Sequence, residues 1–340
     1  MLGERLPHIG WVYSPATYLC LLKLFRGLDG EHSTMRFQLF SLLCGLSLSA
    51  GSALAHERCI SLITSAGGNA FWNEVRRGVL ETAAEMEIPL YARGPSRDGD
   101  AAIQLSLIER MLKFNCQVLI IAPSGPEIAP RMAHLKTAGV QGIYLDRDLG
   151  DDAVLAAIAT DNYAAGLQAG QRMARLLEGR GKVALLRLNA DVQSTSERER
   201  GFLRGAKEGG LRVAMDRYLP LTDPQAMTRL GEELKGLDGL FTPSEGTTLE
   251  VLGVLRRMDM AGQLVHVGFD SSPLLVDALR RQEISALMVQ QPRLLGFESV
   301  ARARRVLDGD LGGPRRVQLP AVYVDRGNLD DPSVQRLLVP

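Results

Sequence analysis

Polar groups able to hold a small ligand recur at the carboxyl ends of apolar runs. Asp146-Arg147 follows a run ending in Leu145, Asp270 closes Val265-His266-Val267-Gly268-Phe269, and Gln290 closes Ala286-Leu287-Met288-Val289. A carboxylate accepts hydrogen bonds and a guanidinium presents a planar fork of donors, a combination that suits vicinal hydroxyls. Gly67-Gly68-Asn69-Ala70-Phe71-Trp72 adds an amide and two aromatic faces where a strand gives way to a helix. Arg198 lies in Ser194-Thr195-Ser196-Glu197-Arg198, where the spacing of Ser194 and Glu197 is that of a capping box and places Arg198 in a first helical turn. Each has a plainer reading: Asn69 as an N-cap, Phe71 and Trp72 as core, Asp146-Arg147 as a surface ion pair, Arg198 as a solvated helix face. What marks a site is the position they share, at strand ends in both halves of the chain, where open α/β sheets bind ligands.

Other chemistries find little support. H-E-x-x-H, G-x-S-x-G and G-x-x-x-x-G-K-[ST] are all absent from the 340 residues. Past residue 55 the histidines are His56, His134 and His266, too scattered for a metal set. Asp146 and Asp270 could form a catalytic carboxylate pair, but no neighbouring feature points to a raised pKa, and no cofactor is implied. A formal net charge of zero argues against a nucleic-acid partner.

Elements of α/β type must position these groups. Strand-like runs at 60–63, 90–91, 118–121, 142–145 and 154–158 alternate with helical stretches, among them Ile103, Leu107, Met111 and Phe114 at helical spacing and the segment 127–137. The alternation restarts with helices at 162–177, 197–207, 225–234 and 248–258 and strands at 183–186, 240–241 and 265–269. Two successive halves of βαβ type, without a long flexible linker, predict two α/β domains with parallel sheets.

The N-terminus reads differently. Met35-Arg36, an apolar stretch from Phe37 to Leu48, and Ala53-Leu54-Ala55 have the layout of a secretory signal peptide over 35–55. Met35 then reads as the start, residues 1–34 as an over-extended frame, and His56 as the first mature residue. Of four cysteines, Cys59 and Cys116 survive cleavage. They lie on the first and third strands, neighbours in a 2-1-3 sheet, so a disulfide is feasible; two buried free thiols are the alternative.

Taken together, Asn69-Ala70-Phe71-Trp72, Tyr144-Leu145-Asp146-Arg147, Ala159-Thr160-Asp161-Asn162, Arg198-Glu199-Arg200-Gly201-Phe202, Val267-Gly268-Phe269-Asp270 and Gln290-Gln291-Pro292 make the chain resemble a type I periplasmic binding protein of the ribose-binding, monosaccharide-transporter class over nearly all of 56–326. The resemblance implies two Rossmann-like lobes, 56–160 plus 291–318 and 161–290 plus 319–340, joined by three hinge crossovers near Thr160-Asp161, Gln290-Gln291 and 318–320. It implies a ligand site of Asn69, Phe71, Trp72, Asp146, Arg147, Arg198, Ser244, Asp270 and Gln290. It also implies a monomeric periplasmic protein without enzymatic activity that passes a sugar or polyol to an ABC permease, or signals to a receptor or histidine kinase. Three departures stand out. Ala122 stands where relatives often carry a ligand-binding Asn, Ser244 stands in place of another, and Leu221 lies near where relatives set an aromatic ring against the ligand. They suggest a ligand with fewer or differently placed hydroxyls than ribose.

Overall fold

A computed structural model describes residues 56–67, 70–96, 99–188, 192–220 and 223–338. Asn69, Leu221 and all of 1–55, with the expected signal segment, lie outside these residues. Residues 56–340 form one of two compact units of the chain, and it contains two six-stranded sheets.

The first sheet is built from β1 (Glu57–Ile63), β2 (Leu90–Arg93), β3 (Cys116–Ile121), β4 (Gln141–Leu145), β5 (Ala156–Thr160) and β11 (Arg316–Leu319). It is parallel throughout, in the order β11-β5-β4-β3-β1-β2. Helices α1 (Ala70–Glu85) and α9 (Pro292–Leu307) cover one face, and α2 (Ala101–Met111) and α3 (Ile128–Thr137) the other. Along β1 and β3, Ile60, Leu62, Val118 and Ile120 pack toward the first pair, whereas Ile63, Leu119 and Ile121 pack toward the second. Coverage on both faces is why these strands are continuous apolar runs rather than alternating ones.

The second sheet contains β6 (Lys182–Arg187), β7 (Arg212–Tyr218), β8 (Gly239–Phe241), β9 (Val265–Phe269), β10 (Ala286–Val289) and β12 (Val322–Asp325), in the order β12-β10-β9-β8-β6-β7. Helices α4 (Asn162–Leu176) and α5 (Gln193–Glu208) lie on one face, α6 (Pro224–Leu234) and α7 (Glu245–Arg257) on the other. The short helices α8 (Pro273–Arg280) and α10 (Pro332–Gln335) pack in a further cluster with β10 and β12. One strand departs from the expected parallel pattern: β12 runs antiparallel to β10. Strands of both sheets point their carboxyl ends at a common cleft. The chain leaves β11 and enters β12 after only Pro320 and Ala321, with no helix to reverse it, so it meets the second sheet against the grain.

The chain passes between the sheets three times: β5 to α4, β10 to α9, and β11 to β12. Each helix entered by a crossover is held against a neighbour by glycines. A Cβ on Gly166 of α4 would lie 2.6 Å from the Arg198 carbonyl carbon of α5, and one on Gly201 of α5 2.7 Å from the Leu167 nitrogen. Between α1 and α9, Gly78 and Gly296 play the same part, at 2.9 Å from the Arg293 carbonyl carbon and 2.7 Å from the Val79 nitrogen.

Two sequence expectations change. The strand expected at 154–158 lies at Ala156–Thr160. The capping box of Ser194 and Glu197 does not form: α5 begins at Gln193, Val192 is its N-cap, and no side chain caps it. Arg198 therefore sits in the second turn rather than the first. Cys59 and Cys116 are joined by a disulfide with Cα atoms 4.8 Å apart.

Candidate functional site: a cleft between two sheets

A cleft of about 360 Å³ is lined by Phe71, Trp72, Asp146, Arg147, Arg198, Ser244, Asp270 and Gln290. This brings together every described residue expected from the sequence, within the size range of small-molecule sites. Glu245, Thr195 and the apolar Leu188, Val192 and Leu249 complete the wall. Asp146, Arg147 and Ser194 also border a hollow of about 80 Å³ alongside.

The two aspartates are presented by one backbone device used twice. Asp146 follows β4 with φ 66° and Asp270 follows β9 with φ 68°. The Asp146 N–H still bonds Ile158 O at 2.8 Å, and the Asp270 N–H bonds Met288 O at 2.8 Å. Each aspartate thus ends its strand in the left-handed region, which aspartate enters at less cost than most residues. Arg147 stays close to Asp146, Nε to Oδ2 at 3.8 Å, and its Nη1 donates to Pro123 O at 3.5 Å.

Arg198 is buried, at 4% exposure. Its Nε donates to Asn162 Oδ1 at 2.8 Å and its Nη1 to Pro243 O at 3.0 Å. The guanidinium carbon lies 3.7 Å from the centre of the Phe269 ring, a cation–π contact. Burial pushes its pKa down, and the fields of Asp270 and Asp146 pull it back up. The packing fixes the base of the fork and leaves its remaining N–H groups for the cleft.

Gln290 joins the two sheets. The Thr160 hydroxyl, at the end of β5, donates to Gln290 Oε1 at 2.7 Å, and Gln290 Nε2 donates to Asp270 Oδ1 at 2.7 Å. On the opposite wall Phe71 and Trp72 meet edge to face, with ring centres 5.0 Å apart and planes at 83°. Trp72 belongs at once to the core cluster of the first sheet and to the cleft. Ser244 lines the cleft, but its hydroxyl caps α7, accepting from the Thr247 N–H at 3.3 Å.

Glu245 is the charged lining residue that sequence reasoning missed. At the first turn of α7 its N–H donates to Asp270 Oδ2 at 3.3 Å. Burial, and then the nearby Asp270 charge, push its carboxyl pKa up, and the Ser272 hydroxyl offsets a smaller part of this. An acid just after a Ser N-cap reads as a helix-dipole partner, so the one available signal pointed elsewhere.

This fold and this site define a binding protein with two lobes about a polar cleft. The model of the periplasmic binding protein domain matches residues 60–311, and the chain belongs to that family, whose members bind substrates rather than convert them. Among its relatives is the ribose import binding protein of Haemophilus influenzae, 27% identical over 271 residues, which cover 78% of this chain and 91% of that protein. The periplasmic component of an ABC-type sugar transport system from Hahella chejuensis is 33% identical over 78% of this chain and 100% of its own, with a TM-score of 0.72. An ABC transporter solute-binding protein from Agrobacterium vitis, solved with α-D-tagatopyranose, shares the fold with a TM-score of 0.74 at 22% identity, over 84% of this chain and 100% of its own.

Proposed function

We propose that the chain is an exported solute-binding protein that captures a monosaccharide or sugar-like polyol in this cleft and delivers it to an ABC permease. The observation that carries the reading is the convergence of Asp146, Asp270, Arg147 and Arg198 with Phe71 and Trp72 around one cleft. Carboxylates and guanidiniums match vicinal hydroxyls, and the aromatic rings suit the apolar face of a sugar ring. The relatives named above, which import ribose or serve sugar transport, support the same reading. Residues 35–55 act as a cleaved signal, the mature chain works as a periplasmic monomer, and Asn69 offers its amide to a ligand hydroxyl. The lobes divide at the three crossovers, and closure about the ligand is the working motion.

The test is calorimetric titration of the mature chain from His56 with pentoses, hexoses and polyols. Saturable binding without turnover is expected. Arg198→Ala should then cost about tenfold to a hundredfold in affinity, the usual range for a hydrogen bond to a charged group. If no sugar or polyol binds, or Arg198→Ala binds as tightly as the parent, the reading is wrong.

A further inference from the structure

Among its described lining residues the cleft has one carboxylate more than it has guanidiniums: three carboxylates, Asp146, Glu245 and Asp270, and two guanidiniums, Arg147 and Arg198. Arg147 accompanies Asp146, and the field of Arg198 falls on Asp270 and Asp146. Among the described residues Glu245 has no such cationic companion: the charge that acts on it is the like charge of Asp270, and its other polar neighbour is the neutral Ser272 hydroxyl.

Elsewhere the two buried glutamates among the described residues, and the partly buried Asp148, are each paired with arginine. Glu199 meets Arg187 at 2.7 Å, Glu74 meets Arg293 at 2.6 Å, and Asp148 meets Arg316 at 2.7 Å. A half-buried carboxylate without a cation is unfavourable, because desolvation is not repaid. The helix N-terminus at Glu245 offers only partial positive charge, and the Glu245 N–H is already given to Asp270. Leu188, Val192 and Leu249 line the same cleft and contribute no neutralising group.

We propose that Glu245 makes the cleft selective for a ligand carrying one cationic amino group among its hydroxyls, an amino sugar or amino polyol. The ammonium sits between Glu245 and Asp270, while Arg147 and Arg198 keep the hydroxyls. This rests on the reading of the cleft as a sugar or polyol site.

The experiment is calorimetric titration of the mature chain at neutral pH with matched pairs: D-glucosamine against D-glucose and D-galactosamine against D-galactose. The N-acetyl forms serve as controls that remove the charge, and D-ribose, D-arabinose, D-allose and myo-inositol complete the set. In at least one pair the amine should bind about tenfold to a hundredfold tighter than its parent, and acetylation should abolish the advantage. Glu245→Gln should bring the affinity for the amine down to that for the parent sugar, with the unfolding midpoint of the unliganded variant reporting its fold. Should the variant not fold, the comparison of amine, parent and N-acetyl form in the wild type decides the point. An amine no tighter than its parent in every pair, or a preference that survives Glu245→Gln, overturns the proposal while neutral-sugar binding keeps the functional reading standing. If nothing in the set binds, the functional reading falls and takes this one with it.

Discussion

Gly166→Ala should destabilise the protein although it improves a helix. In a helix interior the change is worth about 1 kcal/mol in favour of alanine. The new Cβ, however, would lie 2.6 Å from the Arg198 carbonyl carbon and overlap the carbonyl oxygen, where ordinary contact begins near 3.4 Å. The obstacle is backbone, so no rotamer change relieves it, and α4 and α5 must part by at least about 0.8 Å to clear the carbonyl carbon, and further to clear the oxygen. Overpacking of this kind costs about 1–3 kcal/mol, and with backbone against backbone the upper end applies, leaving a net loss of about 2 kcal/mol. Separation also acts on the site: the Arg198 to Asn162 hydrogen bond, 2.8 Å long, spans these two helices. Stretched to about 3.6 Å it ceases to hold, and ligand affinity should fall about tenfold. Gly253→Ala in α7 is the control, because the nearest atom to its new Cβ is Arg257 Nη1 at 3.5 Å; it should stabilise by about 0.5–1 kcal/mol. Urea unfolding of both variants, followed by titration with a sugar that binds the parent, makes the comparison. A Gly166→Ala protein as stable as Gly253→Ala would refute the claim that glycine is there for helix approach.

Loss of the Cys59–Cys116 disulfide, which closes a separation of 57 residues, should cost about 4 kcal/mol on the chain-entropy scale. Urea unfolding of a Cys59→Ser, Cys116→Ser double variant measures this, and reactive thiols in the denatured, unreduced wild type would rule the bridge out. His266 is fully buried, and burial pushes its pKa from 6.5 down to about 3. A depressed histidine pKa favours the fold fully above the unfolded value and progressively less as pH falls toward the folded one. Stability should therefore drop by about 1.4 kcal/mol per pH unit from this group between pH 6.5 and pH 3. Urea midpoints across that window should show the loss and His266→Gln should flatten it; a folded-state His266 resonance titrating near pH 6.5 would contradict it.

Strand-end chemistry was legible because β4 and β9 are buried on both faces and stop abruptly at an aspartate, so a continuous apolar run marks both the strand and its polar end. The disulfide was legible as a feasible pair for a related reason: once the βαβ order is read, β1 and β3 are neighbours. Other features depend on tertiary contacts that leave no local trace. Edge strand β7 buries neither face fully, its residues alternating between exposed and intermediate, and it passed unread. At the start of α5, local spacing favoured a cap at Ser194, but Ser194 and Thr195 are buried residues that line the cleft, and the Thr195 hydroxyl donates to Val192 O at 3.0 Å. The helix register there is set by packing, as the close approach of Gly166 to Arg198 shows, and the capping signature loses. Glu245 was missed because its helical position explains it locally, and only the cleft reveals what surrounds its side chain.

The long-range bonds that matter most join the crossovers to the Asp270 carboxylate in the cleft. Thr160 closes β5 and Gln290 opens the second crossover, 130 residues later. The Thr160 hydroxyl donates to Gln290 Oε1, and this choice of acceptor turns the Nε2 group toward Asp270. The Asp161 N–H donates to Leu319 O at 2.8 Å and Gln291 Nε2 to Pro320 O at 2.8 Å, so the third crossover is tied to the other two. A ligand that draws on Asp270 thus competes for an oxygen-rich group already bonded to the strands that link the sheets. An apolar residue at 290 would leave the Asp270 oxygen and the Thr160 hydroxyl unpaired in a buried place, a cost of about 1–3 kcal/mol each. A glutamate there would keep the Thr160 bond and set a second carboxylate against Asp270. Glutamine is the residue that accepts from one sheet and donates to the other, and that one amide couples the cleft to the first two crossovers.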